Sequence, residues 1–229
     1  MKIVNAGSLA ATLDAVNDAL FHGRTLSRSE KAEVAEWIAG RQGLPGSYAG
    51  MFAATERDAK EGVTVFTGEK VRSGAATRHI LGEEACRALI LLDVPLAGVR
   101  DALKRASAGM TVRLRQACGR PSVIPGTYCC GICTCSLWRH LAVGGLEKGE
   151  RWLAAGMRAL KAHRIDDGKW RRFPHYYTLL ALSEIDLPSA LEEMRYAAPA
   201  CERGLKRCRS EDKFIRRRRL LLERVLAKC

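Results

Sequence analysis

The segment Trp37-Ile-Ala-Gly-Arg-Gln-Gly-Leu-Pro-Gly-Ser-Tyr48 combines a helix end, a glycine turn and an aromatic residue, and this order recurs along the chain. The segment from Arg115 to Tyr128 repeats the Pro-Gly-(Ser/Thr)-Tyr ending, and the segment from Trp152 to Trp170 also ends in a glycine turn and an aromatic residue. The three terminal aromatic residues are 80 and 42 positions apart. A period in the forties is typical of stacked pairs of α-helices.

The rest of the chain carries helix signals almost throughout. Alternating β-branched residues occur only in Val63-Thr-Val-Phe-Thr67, and Ser27-x-x-Glu30 is a capping box, the signature of a helix start. The pattern predicts an all-α fold of one domain, residues 1–229. After helices that start at Ser8 and Ser27, the predicted helices span 83–92, 96–118, 129–142, 147–164, 174–184, 189–208 and 212–228. The predicted repeats span about 27–70, 71–106, 107–146 and 147–208, followed by the basic C-terminal helix.

Composition sets the class of protein. The chain has 38 Lys and Arg against 25 Asp and Glu, a net charge of +13, and is 47% hydrophobic, which is enough for a packed core. Its longest apolar run, Ala88 to Leu92, is far short of the roughly 20 residues that span a bilayer, so no membrane span is expected. Four of the nine cysteines crowd into residues 129–135, which suits reduced thiols and predicts a cytoplasmic protein.

One repeat resembles a known family. Trp37-Ile-x3-Gln42-x3-Gly46-x-Tyr48 resembles the QW repeat of the terpene cyclase and protein prenyltransferase superfamily, and the segment from Lys148 to Trp170 is similar with a longer spacer. The resemblance extends over about residues 30–190. It implies an α/α toroid, or part of one, whose inner helices at 129–142 and 174–184 line a cavity for a hydrophobic, isoprenoid-like ligand.

The same resemblance implies site residues. The cavity groups would be Cys130, Cys133, Tyr176 and Tyr177, and a diphosphate would be bound by the pair Arg171 and Arg172. Whether the protein is an enzyme stays open, because neither family motif is complete. Arg164 stands where the acid motif Asp-x-Asp-Asp would begin, and the zinc set of Asp, Cys and His lacks its acid before the cysteine.

The cysteine cluster is a candidate metal site in its own right. On a helix, Cys129 and Cys130 each lie on the same side as Cys133, and Cys135 is close in sequence. These four thiols, with His140 or His175 opposite, would suit zinc or an iron–sulfur cluster. Two alternatives stay open: small, polarisable cysteines that fill a tight helix interface, and a reactive thiol.

The C-terminal third is strongly basic. It includes the run Arg216 to Arg219 within the predicted helix 212–228. Such a surface predicts, as an alternative function, a non-catalytic helical scaffold that binds nucleic acid or an acidic protein. Because the same helix is amphipathic, its arginines could equally form a solvated face. A homo-oligomer of the chain is a further candidate assembly, and whether a second copy closes the ring stays open.

Overall fold

The computed structural model describes residues 3–118 and 124–229. Over these residues the chain forms ten helices and one small sheet, which confirms the all-α prediction. The elements are α1 (Leu9–Phe21), α2 (Arg28–Ala39), α3 (Glu56–Glu61), α4 (Gly74–Leu92), α5 (Ala97–Cys118), α6 (Gly131–Ala142), α7 (Gly149–Lys161), β1 (Arg164–Ile165), β2 (Lys169–Trp170), α8 (His175–Glu184), α9 (Pro188–Leu205) and α10 (Lys213–Lys228). Residues 119–123, in the middle of the second repeated segment, lie outside the described residues.

Three helices form the centre of the molecule. α4 packs against α6, and α6 packs against α8. Each is followed by a helix that packs back on it, which gives the helical hairpins α4–α5, α6–α7 and α8–α9. α1 and α2 cover α4, and α10 packs on α8 and α9. None of the helices in the described ranges is long and apolar enough to cross a membrane.

The central helix α4 is longer than its sequence suggests. The prediction of a helix over 83–92 is wrong at its start, because Ser73 caps the helix and its side chain accepts a hydrogen bond from Ala76 N. Polar side chains such as His79 and Glu83 are buried together with the apolar ones. A helix that is buried on all sides has no amphipathic period, so the pattern detected only its apolar end.

Other boundaries also differ in detail. The prediction of a helix over 147–164 extends too far, because α7 ends at Lys161 and a short hairpin of β1 and β2 follows. The strand-like segment 63–67 makes only an isolated bridge, between Thr64 and Lys70. The predicted repeat boundary at 106/107 lies inside α5. The predicted capping box of α2 is confirmed, with Ser27 and Glu30 bonding each other's backbone.

The turns of the first two repeated segments meet in space. The hydroxyl groups of Tyr48 and Tyr128, which end the first and second repeated segments, form a hydrogen bond. Trp170, which ends the third, donates from Nε1 to Glu193 Oε2 of α9 at 2.9 Å. Gln42 Nε2 donates to the carbonyl oxygen of Gly50 at 2.8 Å. The sequence repeat thus marks residues that join turns and helices.

The arginine run of α10 is partly used within the fold. Arg217 is 5% exposed and forms ion pairs with Asp14 and Asp18 of α1 at 2.7 and 2.9 Å. Arg218 Nε donates to the carbonyl oxygen of Thr67 at 2.7 Å. These contacts fasten α10 to the N-terminal part of the chain and reduce the number of arginines that are free for a polyanion.

Candidate metal and thiol site

A buried carboxyl group without a partner lies in the middle of α4. Glu83 is completely buried, and neither of its oxygens makes a hydrogen bond to any residue that the structure describes. The hydroxyl of Ser136 from α6 is likewise unbonded. Burial raises the pKa of the Glu83 carboxyl well above its usual range, and the nearby Ser136 hydroxyl lowers it by less. Because nearly all buried polar groups are hydrogen-bonded, such a carboxyl marks a candidate functional site.

The cysteine-rich turn before α6 lies close to this carboxyl, since the charge of Glu83 acts on the Cys129 and Cys133 thiols and the charge of Cys130 acts on Glu83. Cys129 has a φ of 55°, a left-handed conformation that non-glycine residues rarely adopt. Cys130 is the N-cap of α6, and its Sγ lies 3.5 Å from Sγ of Cys133 in the first turn of the helix. Cys129 and Cys130 are exposed, whereas Cys133 is buried.

Hydrogen bonds fix the position of this turn. Tyr128 N donates to Thr134 Oγ1 at 2.9 Å, and Trp138 Nε1 donates to the carbonyl oxygen of Gly126 at 2.8 Å. Both hydrogen bonds link the turn to buried residues of α6. The sulfur atoms are therefore held by a rigid support.

A histidine from α4 faces the turn. The ring centroid of His79 lies 3.9 Å from that of Tyr48 and 5.3 Å from that of Tyr128. His79 is buried, and its Nδ1 has no hydrogen-bond partner among the described residues. Burial, followed by the charges of Arg78 and Arg113, lowers the pKa of His79 to about 4. The ring is therefore neutral near neutral pH, which is the form that binds metals.

These groups form one cluster of donor atoms. One ligand atom from each of His79, Cys129 and Cys133 lies within 4.8 Å of the other two. Cys130 is adjacent, through its 3.5 Å contact with Cys133. Histidine nitrogen and cysteine sulfur are the usual ligands of zinc in proteins. The cluster could therefore hold a metal ion.

The predicted ligand set differs from this cluster in two respects. Cys135 is completely buried, and its Sγ lies 3.4 Å from Thr178 Oγ1 of α8. The helical period turns this position away from the thiol two residues earlier. In the described part of the chain, the histidine that joins the cluster is His79, and neither His140 nor His175 belongs to it.

A cavity of about 770 Å³ opens beside Cys130. Its apolar wall is formed by Ala76, Ile132, Phe173 and Pro174, and its charged wall by Glu69, Lys70, Arg72 and Arg172. Within residues 3–118 and 124–229, no acid forms a salt bridge with Lys70, Arg72 or Arg172. The cavity therefore offers positive charge beside a thiol.

No protein-family model, curated protein or solved structure matches this chain. The site is therefore interpreted from its own geometry. The sequence singled out the thiols but not His79, because the predicted helix began only at position 83, and not Glu83, because a charged side chain on a helix is expected to face solvent. The signal that could have found them is their spacing of four residues, which places both on one side of a helix.

The residues predicted to line one cavity lie in different places. Cys130 and Arg172 share the cavity described above, but Arg171 is exposed and does not line it. Tyr176 is half-buried, with the guanidinium of Arg218 4.5 Å from its ring centroid. Tyr177 is completely buried, and its hydroxyl donates to a carboxylate of α4.

That carboxylate belongs to a network of buried ions that joins α4, α6 and α8. Glu84 accepts hydrogen bonds from Arg139 and from Tyr177 Oη, the latter at 2.6 Å. Arg139 Nε and Arg87 Nη2 each donate to Glu184 at 2.8 Å. Since its two carboxylates are each bonded to arginine, this network has a structural role, in contrast to the unpaired Glu83.

His140, one of the predicted ligands, should instead make the stability of the fold depend on pH. It is completely buried, and neither ring nitrogen has a hydrogen-bond partner in the described ranges. Burial lowers the pKa of His140 from 6.5 to about 4, although Glu84 opposes the shift. The folded state thus disfavours protonation of His140. As the pH falls from 6.5 toward 4, the unfolded chain binds a proton that the folded chain does not, and the free energy of unfolding therefore decreases.

We expect the His140→Gln variant to lose less stability than the wild-type chain on acidification. The difference in free energy of unfolding between the two proteins should change by about 3 kcal/mol between pH 7.5 and pH 4. Urea unfolding followed by circular dichroism at both pH values measures it. A difference that does not depend on pH would show that His140 titrates normally in the folded state.

Proposed function

We propose that the chain binds one zinc ion through Cys129, Cys133 and His79, with Cys130 as the fourth donor. The observation that carries this proposal is the convergence of the first three donor atoms to within 4.8 Å of one another from two separate segments. Three thiolates and one histidine are a common tetrahedral zinc set. An iron–sulfur cluster is less suitable, because it generally needs four cysteines and Cys135 lies apart.

The unpaired atoms around the cluster support the same proposal. His79 Nδ1 has no hydrogen-bond partner among the described residues, and the strained backbone of Cys129 turns this residue into the cluster. Strain of this kind persists where the surrounding structure, or a ligand, compensates for it. Glu83, a buried acid on the same side of α4 as His79, then lies beside the proposed ligands, and its charge interacts with those of Cys129 and Cys133.

Metal analysis of anaerobically purified protein tests the proposal. We expect about one zinc ion per chain, retained in the Cys135→Ser variant and lost in Cys133→Ser and in His79→Gln. In a chelator competition, the Cys133→Ser and His79→Gln variants should each bind zinc at least about tenfold more weakly than the wild-type chain. Cobalt substitution adds a spectroscopic check, because thiolate ligands give intense charge-transfer absorption. Absence of metal from the wild-type chain, or equal retention in all four proteins, would refute the proposal.

A hydrophobic ligand is a second candidate function. The supporting observation is the cavity that unites Cys130 and Arg172, two of the residues implied by the resemblance to prenyltransferases and terpene cyclases, with an apolar wall. The row of hairpins α4–α5, α6–α7 and α8–α9 supports the proposal that the fold is part of an α/α toroid. Calorimetric titration with a prenyl diphosphate tests it: binding should exceed that of inorganic diphosphate and weaken in Arg172→Gln but not in Arg171→Gln.

A further inference from the structure

The two cysteines of the Cys130-Gly-Ile-Cys133 segment have unequal surroundings. Cys130 is exposed at the N-cap of α6 and lines the 770 Å³ cavity. Cys133 is buried directly beneath it, with the two sulfur atoms 3.5 Å apart. An accessible thiol at a helix N-terminus with a buried second thiol one turn later is the arrangement of a dithiol that exchanges with disulfides.

Backbone packing preserves this arrangement. Gly131 follows Cys130, and a Cβ atom at this position would overlap the carbonyl oxygen of Arg172. The helix start is thereby pressed against the segment that carries one wall of the cavity. The Cys130 thiol and the cationic wall therefore keep fixed positions relative to each other.

We propose that Cys130 and Cys133 form a reversible disulfide by exchange with a small anionic disulfide that enters this cavity. In the first step the Cys130 thiolate attacks one sulfur of the substrate R–S–S–R, a Cys130–S–S–R bond forms, and R–S⁻ leaves. In the second step the sulfur of Cys133 attacks Cys130 Sγ and displaces the second R–S⁻. The proton of Cys133 leaves with this thiolate as R–SH. The protein is oxidised by two electrons, and the substrate is reduced to one thiolate and one thiol.

The cavity selects the charge of the substrate. Lys70, Arg72 and Arg172 have no acidic partner among the residues described, and the one acid of the wall, Glu69, already accepts hydrogen bonds from Thr67 Oγ1 and Tyr177 N. Since positive charge attracts anions and repels cations, an anionic disulfide should react faster than a cationic one.

The same thiols belong to the proposed zinc site, so the two states exclude each other. A Cys130–Cys133 disulfide removes two of the four donors, and oxidation should therefore release the metal. Only this release rests on the proposed function, because disulfide formation is a property of the metal-free chain.

Metal-free protein is treated with oxidised glutathione, and its disulfides are mapped by mass spectrometry after alkylation. We expect one bond, between Cys130 and Cys133. The Cys133→Ser variant should instead retain one glutathionyl group on Cys130, and Cys135→Ser should behave as the wild-type chain does. A bond between other cysteines, or reaction at Cys130 no faster than at Cys229, the exposed terminal cysteine, would overturn the proposal.

Two further experiments test the charge selection and the release of zinc separately. Oxidised glutathione should react at least about tenfold faster than cystamine, a cationic disulfide, and the ratio should fall several-fold in Arg72→Gln. Equal rates with the two disulfides would overturn the charge selection. With zinc-loaded protein, a chromophoric chelator should detect metal release in step with disulfide formation. If the protein does not bind zinc at all, only the proposed function is contradicted. If zinc stays bound to the oxidised protein, the claim that the disulfide and the bound metal exclude each other is contradicted.

Discussion

Replacing Glu84 by glutamine should lower the free energy of unfolding by about 3–5 kcal/mol, the range observed when one partner of a buried ion pair is removed. The Glu84 carboxylate accepts hydrogen bonds from Arg139 and from Tyr177 Oη, and Asn17 Nδ2 donates to it at 3.1 Å. A glutamine amide has nearly the same shape but carries no charge. Arg139, itself completely buried, would then keep only one carboxylate partner, Glu184, which it already shares with Arg87.

The adjacent residue is a matched control. Glu83 lies on the same helix and is equally buried, but within the described part of the chain its oxygens have no hydrogen-bond partner. Glu83→Gln removes an ionisable group that burial already disfavours, so we expect unchanged or increased stability. Urea unfolding of the two variants near pH 7.5 measures both effects. Equal losses of stability in the two variants would show that the Glu83 carboxyl has a stabilising partner, as that of Glu84 does.

The pH dependence of the Glu84 effect has a definite sign. Burial alone would raise the pKa of this carboxyl, but the charges of Arg139 and Arg87 outweigh it and lower the pKa below 4.5. Stability that depends on the ionised carboxylate is therefore present above pH 4.5 and is lost as the pH falls through the folded-state pKa. The gap between wild-type protein and Glu84→Gln should accordingly narrow in acid.

The contrast between these two acids explains how far the sequence could be interpreted. Helix starts that depend on local chemistry were predictable, as the capping box of Ser27 and Glu30 shows. The polar interior was not, because periodicity arguments assign charged side chains to the solvent side of a helix. His79 and Glu83 therefore escaped notice, although they lie beside the thiols that the sequence did single out. Their burial depends on α6, which is remote in the chain.

The cysteine cluster shows the same limit at shorter range. Helical spacing related Cys130 and Cys133 correctly, and the structure gives their sulfur atoms a separation of 3.5 Å. Spacing could not reveal that α6 begins only at Gly131, so that Cys129 lies in a strained turn and Cys130 caps the helix. Nor could it reveal that Cys135 packs against α8. These distinctions arise from tertiary contacts.

Two glycines occupy equivalent positions in the repeated turn, and we expect their substitution to change stability by very different amounts. Gly46 and Gly126 both follow the proline of Pro-Gly-(Ser/Thr)-Tyr and have φ values of 86° and 82°. Alanine at either position would be strained by about 1–2 kcal/mol in this left-handed conformation. At Gly46 the space around a Cβ atom is open. At Gly126 a Cβ atom would overlap the backbone of Ala155 and Gly156 in α7.

Gly126→Ala should therefore destabilise the protein by about 4 kcal/mol or more, against about 1–2 kcal/mol for Gly46→Ala. Backbone cannot move aside as a side chain does, so either α7 shifts or the turn opens and breaks the hydrogen bond from Trp138 Nε1 to the Gly126 carbonyl oxygen. Thermal and urea unfolding measure the difference. The turn also leads directly to Cys129, so zinc affinity should fall in Gly126→Ala and be preserved in Gly46→Ala. Equal losses of stability would mean that strain alone acts at both sites and that α7 does not press on the turn that carries the thiols.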